Sequence, residues 1–511
     1  MLEPSLLLFL YFSVLGVLSL FGIHRILLCW WARDARALPP AAAFPKNTDD
    51  LPTVLIQLPM FNEKFVAERV IRAAVLMDYP RENLHIQVLD DSTDDSRATT
   101  HRLVSDLKEQ GYSISLIHRS KRSGYKAGAL AHGLTKSSAE FVAIFDADFI
   151  PQPTFLKETV PFLLAEPRLG MVQARWGHLN RQSNLLTRAQ AIFLDGHFSV
   201  EHRGRNQAQR CFNFNGTAGV WRRQAIEEAG GWRSVTITED FDLSYRAQLK
   251  GWKFRYLDDV VVPAELPESY RAFRSQQARW ARGSMQSCRL LLSDVLGASH
   301  WSLSRRIEAL IHLSSNFSYL LMAGLGLLLP LTIWTRDQIG WRVPGGEILL
   351  SLLDLTMLTS GTCALFIFYA RGTSRHEAHS WRHWVIDIPL ALCVGAGLCL
   401  GNAMEVIRGL TTIDSEFVRT PKQGSKTAPS NSEGYKAKTN QWLPWLEGVF
   451  IAYFSYGVFY AITRSLWSAI PFLLLYLLGF LIMNFGTLAE SEVWNKDLRL
   501  SQPAPPRTEH S

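Results

Sequence analysis

Four clusters of polar side chains stand out in a chain of which 47% is hydrophobic and 19% charged. Asp146-Ala147-Asp148 follows the apolar run Phe141 to Phe145, so two carboxylates at i and i+2 emerge just past a buried strand. Oxygen donors so placed suit one hard cation, Mg²⁺ or Mn²⁺, of the kind usually shared with substrate phosphates. Such a cation would neutralise charge growing on a leaving diphosphate. A D-x-D elsewhere would be an ordinary solvated turn, and the preceding strand is what sets this one apart. A second acidic pair, Asp90 and Asp91, ends the apolar run Ile86 to Leu89. Lys126, within GYKAG (124–128), stands at the start of a predicted helix, where an ammonium and free backbone N–H groups suit a diphosphate.

Thr238-Glu239-Asp240 opens a segment that runs to Lys250, with Gly251 placed to end a helix. One account is structural, with Thr238 as N-cap and the acids favoured in the first turn by the helix dipole. The chemical account makes Asp240 a general base that takes a proton from an acceptor hydroxyl. The two accounts are compatible. QQARW (276–280) lies in the predicted helical run Tyr270 to Arg282, and its Gln276, Arg279 and Trp280, at i, i+3 and i+4, share a face. An indole offers a flat apolar surface to a sugar ring, and Arg and Gln offer donors to phosphate and hydroxyl oxygens. The alternative is a basic amphipathic helix lying on lipid through Arg271, Arg274 and Arg282.

The elements that must position these groups alternate regularly. Strands are predicted at Val54 to Leu58, Ile86 to Leu89, Ile114 to His118 and Phe141 to Phe145, with helices at Glu63 to Met77, Asp94 to Glu109 and Ala127 to Leu134. Near-continuous apolar strands alternating with helices argue a parallel sheet covered on both faces. Ligands of such sheets sit beyond the carboxyl ends of the strands, where both acidic pairs fall.

Outside this part come long apolar runs. Ser5 to Ile23 carries no formal charge over 19 residues and is followed by Arg25, Arg33 and Arg36, the order of a retained anchor rather than a cleaved signal. Basic flanks stay inside, which puts the N-terminus outside and residue 33 onward in the cytoplasm. Further runs are His312 to Trp334, Ile348 to Ala370, Val385 to Ile407, Trp445 to Thr463 and Leu466 to Leu488. Spanning by all of them would put the basic loop Arg408 to Lys438 outside. Val385 to Ile407, polarised by Asn402 and Glu405, is therefore read as interfacial or re-entrant, leaving five spans and a cytoplasmic C-terminus. The net charge of +7 fits membrane flanks and lipid contact rather than nucleic acid. Six cysteines show neither metal-like spacing nor a disulfide framework. The organisation expected is an anchor at 1–32, a cytoplasmic α/β domain at 33–306, two spans at 307–371, an interfacial helix and loop at 372–443, two spans at 444–490 and a disordered tail at 491–511.

These four constellations, in this order, resemble glycosyltransferase family 2, and within it the cellulose synthase superfamily with its D, DxD, TED and QxxRW pattern. QLPMFNE (57–63), QVLDDSTD (87–94), VAIFDADF (142–149), VQARW (172–176), FNGTAGVWR (214–222) and KGWKF (250–254) look like the cellulose-synthase-like branch that contains mannan and glucomannan synthases. The resemblance, dense over 52 to 290, implies a Rossmann-like GT-A fold between membrane helices and an inverting displacement. It implies Asp91, with Asp90, on the nucleotide, Lys126 on the diphosphate, Asp146 on donor and metal, and Asp148 on the metal. Asp240 would be the base. Gln276, Arg279 and Trp280 would meet diphosphate and acceptor, with Asn215 and Gly216 on the acceptor side. Phe417 to Lys422 resembles the family's gating loop. QQARWARG departs from the QQHRWSCG of that branch and leaves sugar and linkage open. The function expected is a processive β-1,4-glycan synthase using GDP-mannose or UDP-glucose at a polysaccharide acceptor. The alternative is a non-processive enzyme glycosylating a lipid, as ceramide glucosyltransferases do.

Overall fold

The computed structural model describes residues 3–33, 44–45, 51–339, 346–374, 383–413 and 442–500. The gating-like segment 417–422 and residues 501–511 lie outside these described residues, while 491–500, expected as the start of a disordered tail, continue the last helix. Helix α1 (Pro4–Arg33) leads into a seven-stranded sheet: β1 (Val54–Met60), β2 (Leu84–Asp90), β3 (Ile114–Ile117), β4 (Phe141–Ile144), β5 (Leu169–His178), β6 (Gly219–Arg222) and β7 (Lys253–Ala264). Between them run α2 (Ala67–Val75), α3 (Ser96–Glu109), α4 (Tyr125–Leu134), α5 (Phe155–Ala165), α6 (Leu185–Gly196), α7 (Arg203–Gln207), α8 (Arg223–Glu228) and α9 (Glu239–Leu249). A π-helical turn, His197–His202, joins α6 to α7.

The sheet order is β3-β2-β1-β4-β6-β5-β7. Strands β1 to β4 pair in parallel, as their alternation with helices requires. β6 pairs antiparallel with β4 and β5, so the sheet is mixed and GT-A-like rather than wholly parallel. The run that makes β6 has only four residues and enters from the turn Asn215–Ala218, where Gly216 and Ala218 take positive φ and reverse the chain. Each face carries its own core. Along β1, Val54, Ile56, Leu58 and Met60 face the α2, α3 and α5 side, while Leu55 faces α4 and α8. Gln57, on that second face, is fully buried and donates to Gln87 and to the Leu130 carbonyl of α4, at 3.1 and 3.2 Å. Gln87 donates in turn to the Gly133 carbonyl at 3.0 Å, so a buried polar pair sets the seat of the helix that carries Lys126.

Beyond the sheet come α10 (Tyr270–Gly297), α11 (Leu303–Leu313), α12 (Ser318–Ile339), α13 (Gly346–Thr373), α14 (Ile388–Gly397), α15 (Cys399–Thr411), α16 (Leu443–Thr463) and α17 (Ile470–Leu500). Among the described residues five helical stretches are long and apolar enough to cross a membrane: Pro4–Arg33, Ser315–Asp337, Leu352–Thr373, Leu443–Thr463 and Trp467–Glu490. The α14–α15 pair is bent by 50° at its break. Its polar groups, which weaken it as a span, are buried against the soluble half: Glu405 accepts from Arg282 Nε at 2.6 Å and from Arg408 at 2.5 Å.

Helix α10 is where sheet and membrane helices meet. Its N-terminal Ser269 and Tyr270 donate to Glu490 of α17, at 3.1 and 2.6 Å. One turn on, Arg274 makes a two-pronged ion pair with Glu447 of α16, at 2.7 and 3.0 Å, and bonds Thr487 at 3.0 Å. Glu447 is fully buried and Arg274 nearly so. Arg274, which the alternative reading of this helix places on the lipid surface, is thus an internal partner. Removing one half of such a pair strands the other charge, at a cost of about 3–5 kcal/mol. Glu447→Ala should therefore lower the thermal midpoint of the detergent-solubilised protein sharply, and Arg274→Leu combined with Glu447→Leu should recover most of the loss. Equal midpoints for the single variant and the parent would remove the pair from the account.

Candidate active site

The carboxyl ends of β1, β2 and β4 open into one cavity of about 670 Å³. Asp91, Lys126, Asp146, Asp148, Asn215, Gly216, Asp240, Gln276, Arg279 and Trp280 all line it. Asp90 does not. Its carboxylate turns back to accept the Ser92 backbone N–H at 2.9 Å and is 1% exposed. Asp91 instead accepts from Arg119 through both oxygens, one of them at 3.0 Å from Nε.

Lys126 sits in the first turn of α4, after Gly124 at φ +71. Its ammonium donates to Asp146 at 2.5 Å and to the Gly216 carbonyl at 2.8 Å, bridging the end of β4 to the turn before β6. The Thr217 hydroxyl accepts the Asp146 backbone N–H at 2.9 Å, which pins the same two segments a second time. Gly216 takes φ +80, and a Cβ there would lie 3.0 Å from Asp240 Oδ2 and 3.3 Å from Lys126 Nζ. No side chain fits between base candidate and lysine.

The acids gather around that lysine. Burial, reinforced by the neighbouring carboxylates, pushes Glu239 and Asp240 well above the ordinary carboxylate range, with Lys126 partly offsetting it. Burial disfavours the Lys126 ammonium, but Asp146, Glu239 and Asp240 outweigh it and hold its pKa above the ordinary lysine value. Asp146 and Asp148 are the hard oxygen donors available to a divalent cation. Among the described residues no group of three or more His, Cys, Asp or Glu could enclose one.

The turn before α9 is fixed from α10 rather than by a cap. Thr238 stands at the N-cap position, but its hydroxyl meets Ser287 Oγ at 3.2 Å and makes no side-chain cap bond, correcting that part of the structural account. The Ile237 backbone N–H donates to Gln286 at 3.1 Å. Opposite stands Gly283, where a Cβ would lie 2.6 Å from Thr238 Cγ2. One helix thus holds the acidic turn at Gly283 to Ser287 and presents half-buried Gln276, Arg279 and Trp280 to the cavity one to two turns earlier.

The cavity does not stop at the sheet. Ser19, Gly22 and Arg25 of α1, Tyr319 and Met322 of α12, Phe368 and Tyr369 of α13 and Tyr476 of α17 also line it. So do Trp176, His178 and His197. Of these, Trp176 belongs to a motif legible in the sequence. Arg25 reads there as a flank that sets orientation, and His197 gives only the weak signal of a His197–Glu201 pair at i, i+4.

Residues 141–370 match the family model described as glycosyl transferase family group 2. Probable glucomannan 4-beta-mannosyltransferase 7 of Oryza sativa subsp. japonica is 45% identical over 269 residues, 52% of this chain and 46% of that protein. Glucomannan 4-beta-mannosyltransferase 2 of Arabidopsis thaliana is 46% identical over 257 residues, 49% of this chain and 48% of that one. The chain spans about half the length of the curated relatives it matches. A solved mannosyltransferase from Pyrobaculum calidifontis, in complex with GDP-Man and Mn²⁺, is 19% identical, with a TM-score of 0.48 over 73% of this chain and 98% of that chain.

Raised carboxyl pKa values carry a sign for stability. Glu239 and Asp240 hold protons in the folded state that the unfolded chain has already released, so folding stability is present at acid pH and lost as pH rises above the ordinary carboxylate range. Glu239→Gln removes one such group. In the protein free of nucleotide and metal, it should flatten the fall in thermal midpoint between acid and alkaline buffer and raise the alkaline value. An unchanged slope would mean that Glu239 is not ionising in a buried site.

Proposed function

Because the chain carries a glycosyltransferase family 2 domain, we propose that it is an inverting, processive β-glycan synthase that transfers mannose to a growing β-1,4-linked polysaccharide. The observation that carries this reading is the single cavity. It joins Asp91, Asp146, Asp148, Asp240 and Lys126 to a stretch lined by Tyr319, Phe368, Tyr369 and Tyr476 of the apolar helices, space that a lengthening chain could occupy. The relatives named as glucomannan 4-beta-mannosyltransferases favour mannose over glucose, and hence GDP-mannose over UDP-glucose.

In this reading Asp91 holds the nucleotide, and Asp90 only shapes the turn that presents it. Lys126 and Arg279 meet the diphosphate. Asp146 and Asp148 would hold Mg²⁺ or Mn²⁺, which would neutralise charge on a departing diphosphate. Asp240 takes the proton from the acceptor hydroxyl while that oxygen forms its bond to the anomeric carbon. The bond from that carbon to the diphosphate oxygen breaks, and the nucleoside diphosphate leaves with the electron pair. Attack opposite the leaving group inverts the centre. The raised pKa makes Asp240 a stronger base than a solvated carboxylate. Trp280 stacks on the terminal sugar, with Gln276, Asn215 and Gly216 around it. The catalytic domain and the loop 409–443 stand on the cytoplasmic face, and the bilayer takes the five apolar helices.

Purified full-length chain incubated with radiolabelled GDP-mannose, and separately with UDP-glucose, should give a long β-1,4-mannan from the former that fails to form in EDTA. A single hexose on lipid would support the non-processive alternative, and full activity in EDTA would discard the metal.

Asp240→Asn keeps size and position but removes the proton acceptor. Turnover should fall by roughly 10²-fold or more, with donor affinity little changed and the thermal midpoint at neutral and alkaline pH no lower than the parent's. Lower stability with near-normal turnover per folded molecule would return Asp240 to a purely structural role.

A further inference from the structure

One stretch of the cavity wall is polar just where the apolar helices begin, and the proposed chemistry gives it no task. His312, Ser315, Asn316 and Tyr319 line the cavity at three- and four-residue spacing, and Met322, Leu325 and Leu329 of α12 continue the same stripe. His312 is only 4% exposed. The fully buried Tyr245 hydroxyl meets its Nδ1 at 2.8 Å, and the Phe241 ring stands edge-on to it, with centroids 5.1 Å apart. Both of these rings belong to α9, the helix that carries Asp240 in its first turn. With Nδ1 so held, Nε2 has no hydrogen-bond partner among the described residues, yet it keeps accessible surface, unlike the sealed Nδ1 of His178 and His202. Since His312 lines the cavity, that surface opens into it.

Asn316 is placed from the other side. Ser284 of α10 donates its hydroxyl hydrogen to the Ala281 carbonyl at 3.3 Å, and so accepts from Asn316 Nδ2 at 2.6 Å. That orients the amide, and its Oδ1 likewise has no partner among the described residues and is not sealed off. Gln276, Trp280 and Ser284 recur every four residues along α10 and all line the cavity. Asn316 is therefore held one helical turn beyond the indole proposed to stack on the terminal sugar. Polar groups this deep cost free energy when left unmet. None of His312, Ser315 and Asn316 carries a fixed charge, so the ligand they suit is a neutral sugar, whose hydroxyls both donate and accept, and not a phosphate.

We infer that His312, Ser315 and Asn316 form a second acceptor subsite, which binds the sugar unit next to the terminal one through its hydroxyl groups. The inference rests on the proposed glycosyl transfer and adds to it the contacts that make an acceptor of two units better than one. The helix of the proposed base holds His312, and the helix of Trp280 holds Asn316, so the second unit is positioned by the same two elements as the first.

The test compares β-1,4-mannobiose with mannose as acceptor for the full chain, with GDP-mannose as donor. In the parent, kcat/KM should be at least about tenfold higher for the disaccharide. His312→Phe keeps a ring against Phe241 but removes Nε2, and should cut that ratio about fivefold. Asn316→Ala should cut it similarly. His312→Gln, whose side-chain amide reaches the place of Nε2, should hold the ratio within about twofold of the parent. The donor KM should move less than about threefold in each. Ser315→Ala, which disturbs neither the Tyr245 nor the Ser284 contact, reads the same subsite should another variant fail to fold, and it too should lower the ratio. A ratio unmoved by these removals, equal losses with mannose and mannobiose, or His312→Gln no better than His312→Phe would overturn the subsite. So would a parent that does not distinguish the two acceptors. Absence of any transfer by the parent protein would count instead against the proposed function.

Discussion

The contact on which the rest of this molecule depends is that of Thr238 with Gly283. A methyl group at Gly283 would lie 2.6 Å from Thr238 Cγ2, so the acidic turn before α9 can be seated only on a bare patch of α10. Seated there, it is locked by Gln286 and Ser287 of the same helix. The distance from Asp240 to the Gln276–Trp280 face is therefore set by the rise of one helix rather than by two independent loops. That is the preorganisation a displacement reaction needs, since small misplacements of the reacting groups are costly in rate. The same helix is held from the far side by Glu490, Glu447 and Glu405, all belonging to the membrane-associated helices. Catalytic geometry and membrane packing thus share one part.

What α10 holds in place is electrostatically unfavourable. Asp146, Glu239 and Asp240 crowd around Lys126, with burial raising the price of each negative charge. A group of acids left to relax would turn toward solvent. Here the backbone prevents it: Lys126 is fixed by the Gly216 carbonyl, Asp146 by the Thr217 hydroxyl, and Gly216 leaves no room for a side chain to intervene. The unfavourable charge is concentrated in the proposed site, and the two sheet cores and the clamped helix hold it there.

Much of this was legible from residue order. Apolar strands ending in Asp90-Asp91 and Asp146-X-Asp148 put both pairs at the carboxyl edge because a parallel strand has only one such edge. The i, i+3, i+4 spacing of Gln276, Arg279 and Trp280 gave their common face because helix geometry allows no other. Four of the five candidate spans agree with the expected apolar runs to within four residues, because apolar length is a local property, while the first helix runs ten residues past Ile23. Legibility ended where a contact joins distant residues. Asp90 and Asp91 look equivalent in sequence, and only the turn to Ser92 separates their roles. β6 has too few residues to announce its direction. Thr238 carries the marks of an N-cap, and a glycine 45 residues later redirects it. Arg274 fits an amphipathic surface helix as well as a buried pair, because the deciding partner, Glu447, is 173 residues away.

Arg25 shows how far that blindness reaches. A basic residue after an apolar run is the ordinary mark of a cytoplasmic flank, and hydropathy alone gives it no other task. Yet α1 sends several groups into the soluble half. Arg25 pairs with Glu201, His24 lies 2.7 Å from Glu308, and the Ala32 carbonyl accepts from Arg203 at 2.9 Å. Gly204 lies so close to α1 that a Cβ would meet the Leu28 carbonyl at 2.8 Å. Glu308 is shared with Arg205, which also reaches Glu201, so the charges form one balanced set across α1, the π-helical turn, α7 and α11. Buried ions are tolerated only when fully paired, so the set can form only if all four elements meet in one arrangement. The first helix is consequently part of the cavity wall around His197, Glu201 and Asn215 as well as an element of bilayer length, and that wall is complete only when α1 is in place.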